Sequence, residues 1–191
     1  MSAVPELELI EGFYNQADCQ QLLERLLDEQ DWPNNRYQVG ERWFELPRQQ
    51  TWHADPGIRY SYSNNLLVAR PWPPLLSELR AAIEYRLNAK FNAVLVNLYR
   101  DGNDYVGWHS DNEREMGDEP LIASLSLGAT RTFAYRHKRS GEQGSTRLNA
   151  GTLLTMRPSF QHDWRHSVPP APEVADPRIN LTFRYVLPPP N

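Results

Sequence analysis

Residues 178–186 have the sequence RINLTFRYV, and the alternation along this stretch indicates the kind of fold that the chain forms. Residues two apart in an extended strand share a face. The apolar face of such a strand would consist of Ile179, Leu181 and Phe183. The polar face would consist of Arg178, Asn180, Thr182 and Arg184. The pattern therefore predicts a strand with one face in a core and the other in solvent or in a binding cavity.

Four other short runs precede this strand and are similar to it in composition. Each is rich in leucine, β-branched or aromatic residues, and they span residues 93–100, 122–127, 131–136 and 152–157. Glycines, or the turn pair Asp101-Gly102, separate the runs. Several short strands at this spacing are typical of an antiparallel sandwich or barrel, not of alternating strands and helices.

The N-terminal half carries two helical patterns. Residues 16–30 place four leucines on one stripe, with Asn15 or Asp18 as the candidate N-cap. Residues 74–89 show the same spacing, and Pro74 suits the first turn of that helix. Prolines interrupt the segment between the helices, which predicts short strands and loops. The sequence thus predicts an α+β fold in which two helices lead into an all-β C-terminal half.

The composition limits the class of protein. A chain of 191 residues is long enough for one domain with a core and short for two. The single cysteine, Cys19, excludes an intramolecular disulfide and a metal site made of several cysteines. The chain shows neither a signal-peptide pattern nor an apolar stretch long enough to cross a membrane. We therefore expect a soluble, intracellular protein.

The formal net charge of −4 argues at first against a nucleic-acid partner. The acids are unevenly distributed, however: residues 1–31 hold eight acids and one base, whereas residues 32–191 hold 16 acids and 19 bases. Because most of the chain is mildly basic, the net charge does not exclude nucleic acid. It predicts a modest, salt-sensitive affinity, with selectivity supplied by a pocket.

A candidate metal site begins at His109 and Asp111, which lie two residues apart. In an extended segment the imidazole and the carboxylate converge, and both are ligands for a borderline divalent metal. A third ligand has to come from another strand, and His162 and His166 are both candidates. Two histidines and one carboxylate leave positions open on the metal, as in non-haem Fe(II) oxygenases. The alternative is that these side chains are structural or surface groups.

The polar face of residues 178–184 is a candidate carboxylate site. Each guanidinium can donate a forked pair of hydrogen bonds to a carboxylate, and Asn180 and Thr182 can fix the atoms between them. A dicarboxylate such as 2-oxoglutarate would match this row. Asn97 and Tyr99 share a face of an otherwise apolar strand, so they either point into the same cavity or satisfy neighbouring backbone groups.

Taken together, five stretches resemble the AlkB family of Fe(II)/2-oxoglutarate-dependent dioxygenases, most of all its animal homologue 2 and 3 group and their bacterial relatives. These stretches are PRQQTWHADPGIRYSYS at 47–63, NLYRDGNDYVGWHSDNERE at 97–115, PLIASLSLGATRTFAYRHK at 120–138, WRHSVP at 164–169 and PRINLTFRYV at 177–186. The ordered combination of H-x-D, a distal histidine and R-x-N-x-T-x-R is highly specific.

The resemblance implies a fold and a domain plan. The fold would be a double-stranded β-helix, or jelly roll, with N-terminal helices packed on one side. Residues 1–191 would form a single domain. Within it, residues 1–36 would be an N-terminal helical extension, residues 37–63 a nucleotide-recognition hairpin region and residues 90–189 the jelly-roll catalytic core.

The resemblance also implies roles for individual residues. His109, Asp111 and His166 would bind Fe(II), with His166 preferred to His162 because of its HSVP context. Arg178 would pair with the distal carboxylate of 2-oxoglutarate. The rest of the co-substrate site would consist of Arg184 and Thr182 near the metal-chelating end, Asn97 and Tyr99 beside it, and Asn180 as a support. The expected catalytic residues are the three metal ligands together with Arg184.

The substrate implied by the resemblance is an N-alkylated base. Tyr60, Tyr62, Asn112 and Glu113 match positions that line the base pocket in the family, and Arg48 matches a position that contacts nucleic acid. The implied reaction is oxidative demethylation of 1-methyladenine and 3-methylcytosine in DNA, with RNA as an open alternative. It consumes O₂ and 2-oxoglutarate and releases formaldehyde, succinate and CO₂, as in direct reversal of alkylation damage.

Two positions depart from the family pattern. Duplex-preferring relatives carry a large aromatic wedge where this chain has Val39 followed by Gly40 and Glu41. We therefore expect single-stranded DNA to be favoured over duplex. The second position is Asn112, where some relatives have aspartate. Because an amide both donates and accepts hydrogen bonds, the base preference is expected to differ.

We expect a monomer without an obligate protein partner and without membrane contact. Its compartment would be the cytoplasm of a bacterium, at the nucleoid, or the nucleus of a eukaryote. Two other functions remain open: the same oxygenase chemistry on tRNA or protein, and a non-catalytic nucleic-acid-binding module. The intact metal and arginine residues argue against the second, and the aromatic pair Tyr60 and Tyr62 with Glu113 favours a base as substrate.

Overall fold

The computed structural model describes residues 6–62 and 65–188, and it leaves the side chains of residues 61–67 undescribed. The described helices are α1 (Gln16–Glu29), α2 (Pro74–Leu87) and α3 (Pro158–Asp163), and a 3-10 helix spans Arg114–Met116. The described strands are β1 (Leu7–Ile10), β2 (Arg36–Val39), β3 (Arg42–Glu45), β4 (Gln49–Ala54), β5 (Tyr60–Tyr62), β6 (Asn65–Leu67), β7 (Ala93–Tyr99), β8 (Val106–His109), β9 (Ile122–Gly128), β10 (Arg131–His137), β11 (Gln143–Leu148), β12 (Leu153–Met156), β13 (Trp164–Val168) and β14 (Arg178–Arg184).

Two antiparallel sheets form the core of the fold. The larger sheet has six strands in the order β1-β12-β9-β14-β7-β4, and the smaller has four in the order β11-β10-β13-β8. Side chains of both sheets meet in one apolar cluster, in which Phe133 and Tyr135 of the smaller sheet join Leu95 and Leu154 of the larger. This is the arrangement of a double-stranded β-helix, and the predicted jelly roll is confirmed.

The two long helices cover the outer face of the larger sheet. Leu23 and Leu26 of α1 and Ile83 of α2 belong to the same buried cluster as Leu181 and Phe183 of β14. The apolar face predicted for residues 178–184 is therefore the face that packs against the helices. Its polar face points between the sheets, where the site lies.

Local sequence explains where these helices begin and end. The Asn15 side chain accepts a hydrogen bond of 2.9 Å from the backbone N–H of Asp18 and so caps α1. Pro74 occupies the first turn of α2, where no backbone donor is needed. That helix ends at Asn88, which adopts a left-handed conformation with φ of 49°. Both helices match the predicted segments to within two residues.

The domain plan differs from the structure at its edges. Residues 1–36, predicted as a helical extension, contain β1, which pairs with β12 as an edge strand of the larger sheet. Residues 37–63, predicted as a hairpin region, contain the β2–β3 hairpin but also β4, which pairs with β7 in the same sheet. The larger sheet thus includes two strands from outside residues 90–189, one at each of its edges.

Gly102 lies where two loops come into backbone contact. Its N–H donates a hydrogen bond of 2.7 Å to the Val174 carbonyl, and its own carbonyl accepts one of 2.7 Å from Ala171. A Cβ atom at this position would overlap the Ala171 carbonyl oxygen. We therefore expect Gly102→Ala to lower the free energy of unfolding by about 3 kcal/mol.

Urea denaturation measures this effect, with Gly107→Ala as the control because a Cβ there meets no atom within 4 Å. Equal stability of the two variants would show that the loop contact is not needed.

Within the described residues, no helix is both long enough and apolar enough to span a membrane.

Candidate metal and co-substrate site

A cavity of about 520 Å³, open at one end, lies between the inner faces of the two sheets. The larger sheet contributes the polar face of β14 and the matching face of β7, and the smaller sheet contributes β8 and β13. Many of the predicted site residues line this cavity: Arg48, Asn97, Tyr99, His109, Asp111, His166, Arg178, Asn180, Thr182 and Arg184.

Three of these residues form a cluster suited to a metal ion. His109 ends β8 and lies directly opposite His166 of β13, and Asp111 follows two residues later. The Nε2 atoms of His109 and His166 lie 3.9 Å and 3.4 Å from the Asp111 carboxylate oxygens. One ligand atom from each residue lies within 4.8 Å of the others. No other such group of three or more occurs in the described part of the chain.

The hydrogen bonds of His109 direct one nitrogen toward this cluster. Its Nδ1–H donates to the Gly107 carbonyl at 2.8 Å, since a carbonyl can only accept. The Nε2 atom therefore keeps its lone pair for a metal. Burial in the cavity wall, together with the neighbouring His166 ring, lowers the pKa of His109 to about 4. The ring is neutral near pH 7, as a metal ligand has to be.

Asp111 is held as a carboxylate. Burial alone would raise the pKa of Asp111, but the positive charge of Arg184 and the hydrogen bond with His166 hold it well below its usual range. Arg184 Nη2 donates to Asp111 Oδ1 at 2.8 Å, and both side chains are buried. The Asp111 backbone N–H donates to Gln161 Oε1 at 2.8 Å, which fixes the position of the residue. A buried anion beside two imidazoles fits a divalent cation such as Fe(II).

His162, the other candidate ligand, lies outside the cluster. It is exposed near the end of α3, and its Nε2 atom is 2.8 Å from the Asp118 carbonyl. The four-residue offset between His162 and His166 spans the end of α3 and the start of β13. Only His166 is carried by the strand that faces His109.

The polar row of β14 forms a ladder of hydrogen bonds along the larger sheet. Thr182 Oγ1 donates to Asn180 Oδ1 at 2.8 Å, and Asn180 Nδ2 donates to Ser124 Oγ at 2.6 Å. Arg178 Nη2 donates to Ser126 Oγ at 2.9 Å. Asn180 therefore links Thr182 to Ser124, and two serines of β9 complete the row.

The two arginines at the ends of the row keep donors for a ligand. Arg178 and Arg184 are 1 % and 3 % exposed, yet the Nε and Nη1 atoms of both have no hydrogen-bond partner among the described residues. Buried donors without partners are costly, and carboxylate oxygens are the acceptors that guanidinium groups bind in pairs. The two ends of the row thus fit the two carboxylates of a dicarboxylate such as 2-oxoglutarate.

Tyr99 and Asn97 of β7 border the same row. The guanidinium groups of Arg178 and Arg131 lie 5.1 Å and 5.5 Å from the centroid of the Tyr99 ring. Arg48 is 5 % exposed, and it donates hydrogen bonds of 3.1 Å to Asn97 Oδ1 and to the Tyr105 carbonyl. Arg48, predicted to contact nucleic acid, is thus tied into the cavity wall.

The predicted base-binding residues Tyr60, Asn112 and Glu113 do not line the cavity itself, but the centroid of the Tyr60 ring lies 5.8 Å from the Arg184 guanidinium beside the metal cluster. Tyr60 is fully buried and stacks on Trp52, with ring centroids 4.8 Å apart. The hydroxyl of Tyr60 and the carboxyl of Glu113 are buried and face each other, and burial followed by the Asp111 charge raises the pKa of Glu113. Asn112 is exposed. The side chain of Tyr62 lies outside the described residues.

A second, larger depression lies beside the cavity. This groove has a volume of about 2200 Å³ with its open mouth and runs between the β2–β3 hairpin, β4 and β8. It shares a wall with the metal cavity, formed by Arg48, Leu95, Val106 and His109. Val39, Trp43 and Trp108 line the groove and are 60 %, 64 % and 42 % exposed. The groove therefore lies directly beside the metal cluster, with His109 on the wall between them.

The sequence did not predict several residues that support the site. Ser124 and Ser126 alternate with buried leucine and alanine in β9, so period-two alternation was the signal that marked them. Gln161 lies on α3, a short helix without periodicity. Arg131 is buried and donates to the carbonyls of Asp101, Asp104 and Pro169, a contact that no local pattern indicates.

Comparisons with known proteins agree with this geometry. A family model described as the 2OG-Fe(II) oxygenase superfamily matches residues 6–184. The chain is 41 % identical over 161 residues to DNA oxidative demethylase ALKBH2 of Bos taurus, covering 80 % of this chain and 58 % of the relative. It is 37 % identical over 199 residues to alpha-ketoglutarate-dependent dioxygenase alkB homolog 3 of Homo sapiens, covering 99 % of this chain and 69 % of the relative.

A solved structure of OsALKBH1 has the same fold. It matches with a TM-score of 0.66 at 19 % identity, covering 96 % of this chain and all of that one. The chain spans 58 % of the length of the bovine relative, so the activity of that longer protein does not transfer by similarity alone.

Proposed function

Because the chain belongs to the 2OG-Fe(II) oxygenase superfamily, we propose that it is an oxidative demethylase of N-alkylated bases in nucleic acid. The predictions of the family and of the fold are confirmed. The cofactors predicted from the sequence, Fe(II) with 2-oxoglutarate and O₂, are those of this family. The observation that carries the proposal is the shared wall between the large groove and the cavity that holds the His-Asp-His cluster.

His109, Asp111 and His166 would hold Fe(II) in this proposal, and Arg178 and Arg184 would face the carboxylates of 2-oxoglutarate. Bound iron supplies the oxidising chemistry: one oxygen atom of O₂ enters a C–H bond of the methyl group, and the other enters succinate as 2-oxoglutarate loses CO₂. The bond between the base nitrogen and the hydroxymethyl carbon then breaks: the group leaves as formaldehyde, its hydroxyl proton goes to solvent, and the bonding electron pair stays on the base nitrogen, which loses its positive charge. The restored base, succinate, CO₂, formaldehyde and the released proton account for all atoms.

The chain's own groups prepare this chemistry. Arg184 keeps Asp111 anionic, and Gly107 keeps the Nε2 lone pair of His109 directed at the metal. The buried row along β14 excludes water from the co-substrate and offers it hydrogen bonds of fixed direction. The protein thereby provides position and charge, which is its usual share of the work in cofactor enzymes.

The proposed base site uses Tyr60, Tyr62, Asn112 and Glu113, with Arg48 between the groove and the cavity. Methylation at N1 of adenine or N3 of cytosine leaves a cationic base that pairs poorly and is easier to extrude from a stack. A carboxylate such as Glu113 offsets that positive charge. The position of Glu113 beside the buried Tyr60 and close to Asp111 supports this assignment.

Two further parts of the proposal concern the preference for single-stranded DNA and the oligomeric state. The β2–β3 hairpin turns at Gly40, whose φ is 61° and which occupies the position of the large aromatic wedge, while Val39 remains before it. A hairpin without such a wedge supports a preference for single-stranded DNA over duplex. We further propose that the protein acts as a monomer, without an obligate partner, and in the compartment that holds the genome.

A panel of methylated oligonucleotides tests the proposed function. It contains 1-methyladenine and 3-methylcytosine in single-stranded DNA, duplex DNA and RNA, with unmethylated strands as controls. We expect formaldehyde release from the methylated strands only, fastest from single-stranded DNA. Release from none of them would overturn the demethylase proposal. Succinate release with peptide substrates alone would instead assign the oxygenase to protein.

A further inference from the structure

The outer face of the four-stranded sheet carries positive charge that the metal and co-substrate site does not use. Along β10, buried residues alternate with the outward-facing Thr132, Ala134 and Arg136. Residues directly opposite each other in antiparallel strands share a face. Arg147 of β11 lies opposite Thr132, and Arg165 of β13 lies opposite Arg136. The three arginines therefore project from the same outer face.

No acid offsets this charge within the sheet. The strands β8, β10, β11 and β13 contain no aspartate or glutamate. Among the ion pairs of the described residues, none includes Arg136, Arg147 or Arg165. Asp163, just before β13, lies 3.6 Å from Arg139 instead. The face is thus free to bind a partner that brings negative charge.

Trp108 connects this face to the groove. The Arg136 guanidinium lies 4.9 Å from the centroid of the Trp108 ring, so the two side chains share the outer face. Trp108 is also half exposed and lines the groove beside His109. On the surface, Trp108 therefore lies between the metal cluster and the three arginines.

We propose that Trp108, Arg136, Arg147 and Arg165 form a binding surface for the single strand that continues from the target base. The inference rests on the proposed demethylase function and names how that substrate is held beyond its reacting base. A flanking base would stack on Trp108, which works for any sequence because every base has a π-face. The arginines would bind successive phosphates through forked hydrogen bonds.

The size of the sheet suits this role. Four strands at a spacing of about 4.8 Å extend about 14 Å from β8 to β11, enough for several nucleotides. A trinucleotide centred on the methylated base would not span this surface. The contribution of the surface is therefore read from the ratio of kcat/KM on an oligonucleotide of about 15 nucleotides to that on the trinucleotide.

The test compares two double variants with equal changes in charge. Arg147→Gln with Arg165→Gln removes two charges from the surface, and Arg25→Gln with Arg86→Gln removes two from the helices on the opposite side of the larger sheet. We expect the first double variant to lower the kcat/KM ratio about tenfold. It should also reduce the magnitude of the slope of log affinity against log salt concentration by about 1.4, because each lost phosphate contact reduces that magnitude by about 0.7. The second should change neither quantity.

Trp108→Ala tests the stacking contact, with Tyr85→Ala as its control because Tyr85 is exposed on α2. We expect about tenfold weaker binding of the longer strand for the first variant only. A wild-type ratio and salt slope in the surface variants, with turnover of the trinucleotide intact, would overturn the binding surface alone. Absence of wild-type turnover on both substrates would overturn the demethylase proposal, and the surface with it.

Discussion

Asp111→Asn is expected to reduce turnover by on the order of a thousandfold or more, because the variant loses the anionic metal ligand. The asparagine side chain keeps an oxygen that can accept the hydrogen bond from Arg184, so the buried guanidinium retains a partner. Asp111→Ala should abolish turnover as well. It should also cost about 3–5 kcal/mol of stability, because it leaves the Arg184 charge buried and unpaired. Turnover and urea denaturation separate the two effects.

Asp163→Asn is the matched control, since Asp163 is a partly exposed aspartate away from the metal cluster that approaches Arg139. It should retain wild-type activity. Metal content measured after loading with Fe(II) without oxygen should fall in Asp111→Asn and not in Asp163→Asn. Wild-type turnover in Asp111→Asn would remove Asp111 from the metal site.

Arg178→Ala is expected to raise the KM for 2-oxoglutarate about a hundredfold, because a buried guanidinium bound to a carboxylate contributes several kcal/mol. Arg178→Lys keeps the charge but loses the forked donors, so an intermediate increase is expected. Initial rates at a saturating concentration of methylated oligonucleotide measure the effect. The KM for the oligonucleotide should stay near its wild-type value, since Arg178 lines the cavity and not the groove.

An unchanged KM for 2-oxoglutarate in Arg178→Ala would show that Arg178 does not bind a carboxylate of 2-oxoglutarate. A raised KM for the oligonucleotide with a normal KM for 2-oxoglutarate would place the substrate, not the co-substrate, at Arg178. The Lys variant keeps the test interpretable if the alanine variant is too unstable to purify.

The parts of the fold that the sequence predicts are those with a strong period. The alternation in residues 178–184 identified both the face that packs on the helices and the face that lines the cavity. The leucine stripes located α1 and α2 to within two residues. Burial on one side of each element is what made these patterns visible.

The parts that the sequence misses depend on contacts distant in the chain. Strand β1 is only four residues long and is defined by its pairing with β12. Helix α3 has six residues, too few to show a period, although its Gln161 holds the backbone of Asp111. Spacing alone left His162 and His166 equivalent; the HSVP context of the resemblance favoured His166, and the pairing of β13 with β8 places it opposite His109.

The positions of the base-site residues also depend on contacts that are distant in the chain. Tyr60 and Glu113 match the family pattern, but their positions relative to the cavity depend on the stacking of Tyr60 on Trp52 and on the 3-10 helix at Arg114–Met116. Arg48, expected at a nucleic-acid contact, hydrogen-bonds Asn97 in the wall between groove and cavity. No local pattern in the sequence encodes either contact.

The most direct test of the proposed activity is its stoichiometry. A single-stranded oligonucleotide with one 1-methyladenine is incubated with the Fe(II)-loaded protein, 2-oxoglutarate and O₂, and the methyl group is followed by mass spectrometry. We expect one formaldehyde and one succinate for each methyl group lost, with no loss when Fe(II) or 2-oxoglutarate is omitted. Succinate formation with the methyl group retained on the oligonucleotide would contradict the proposed function.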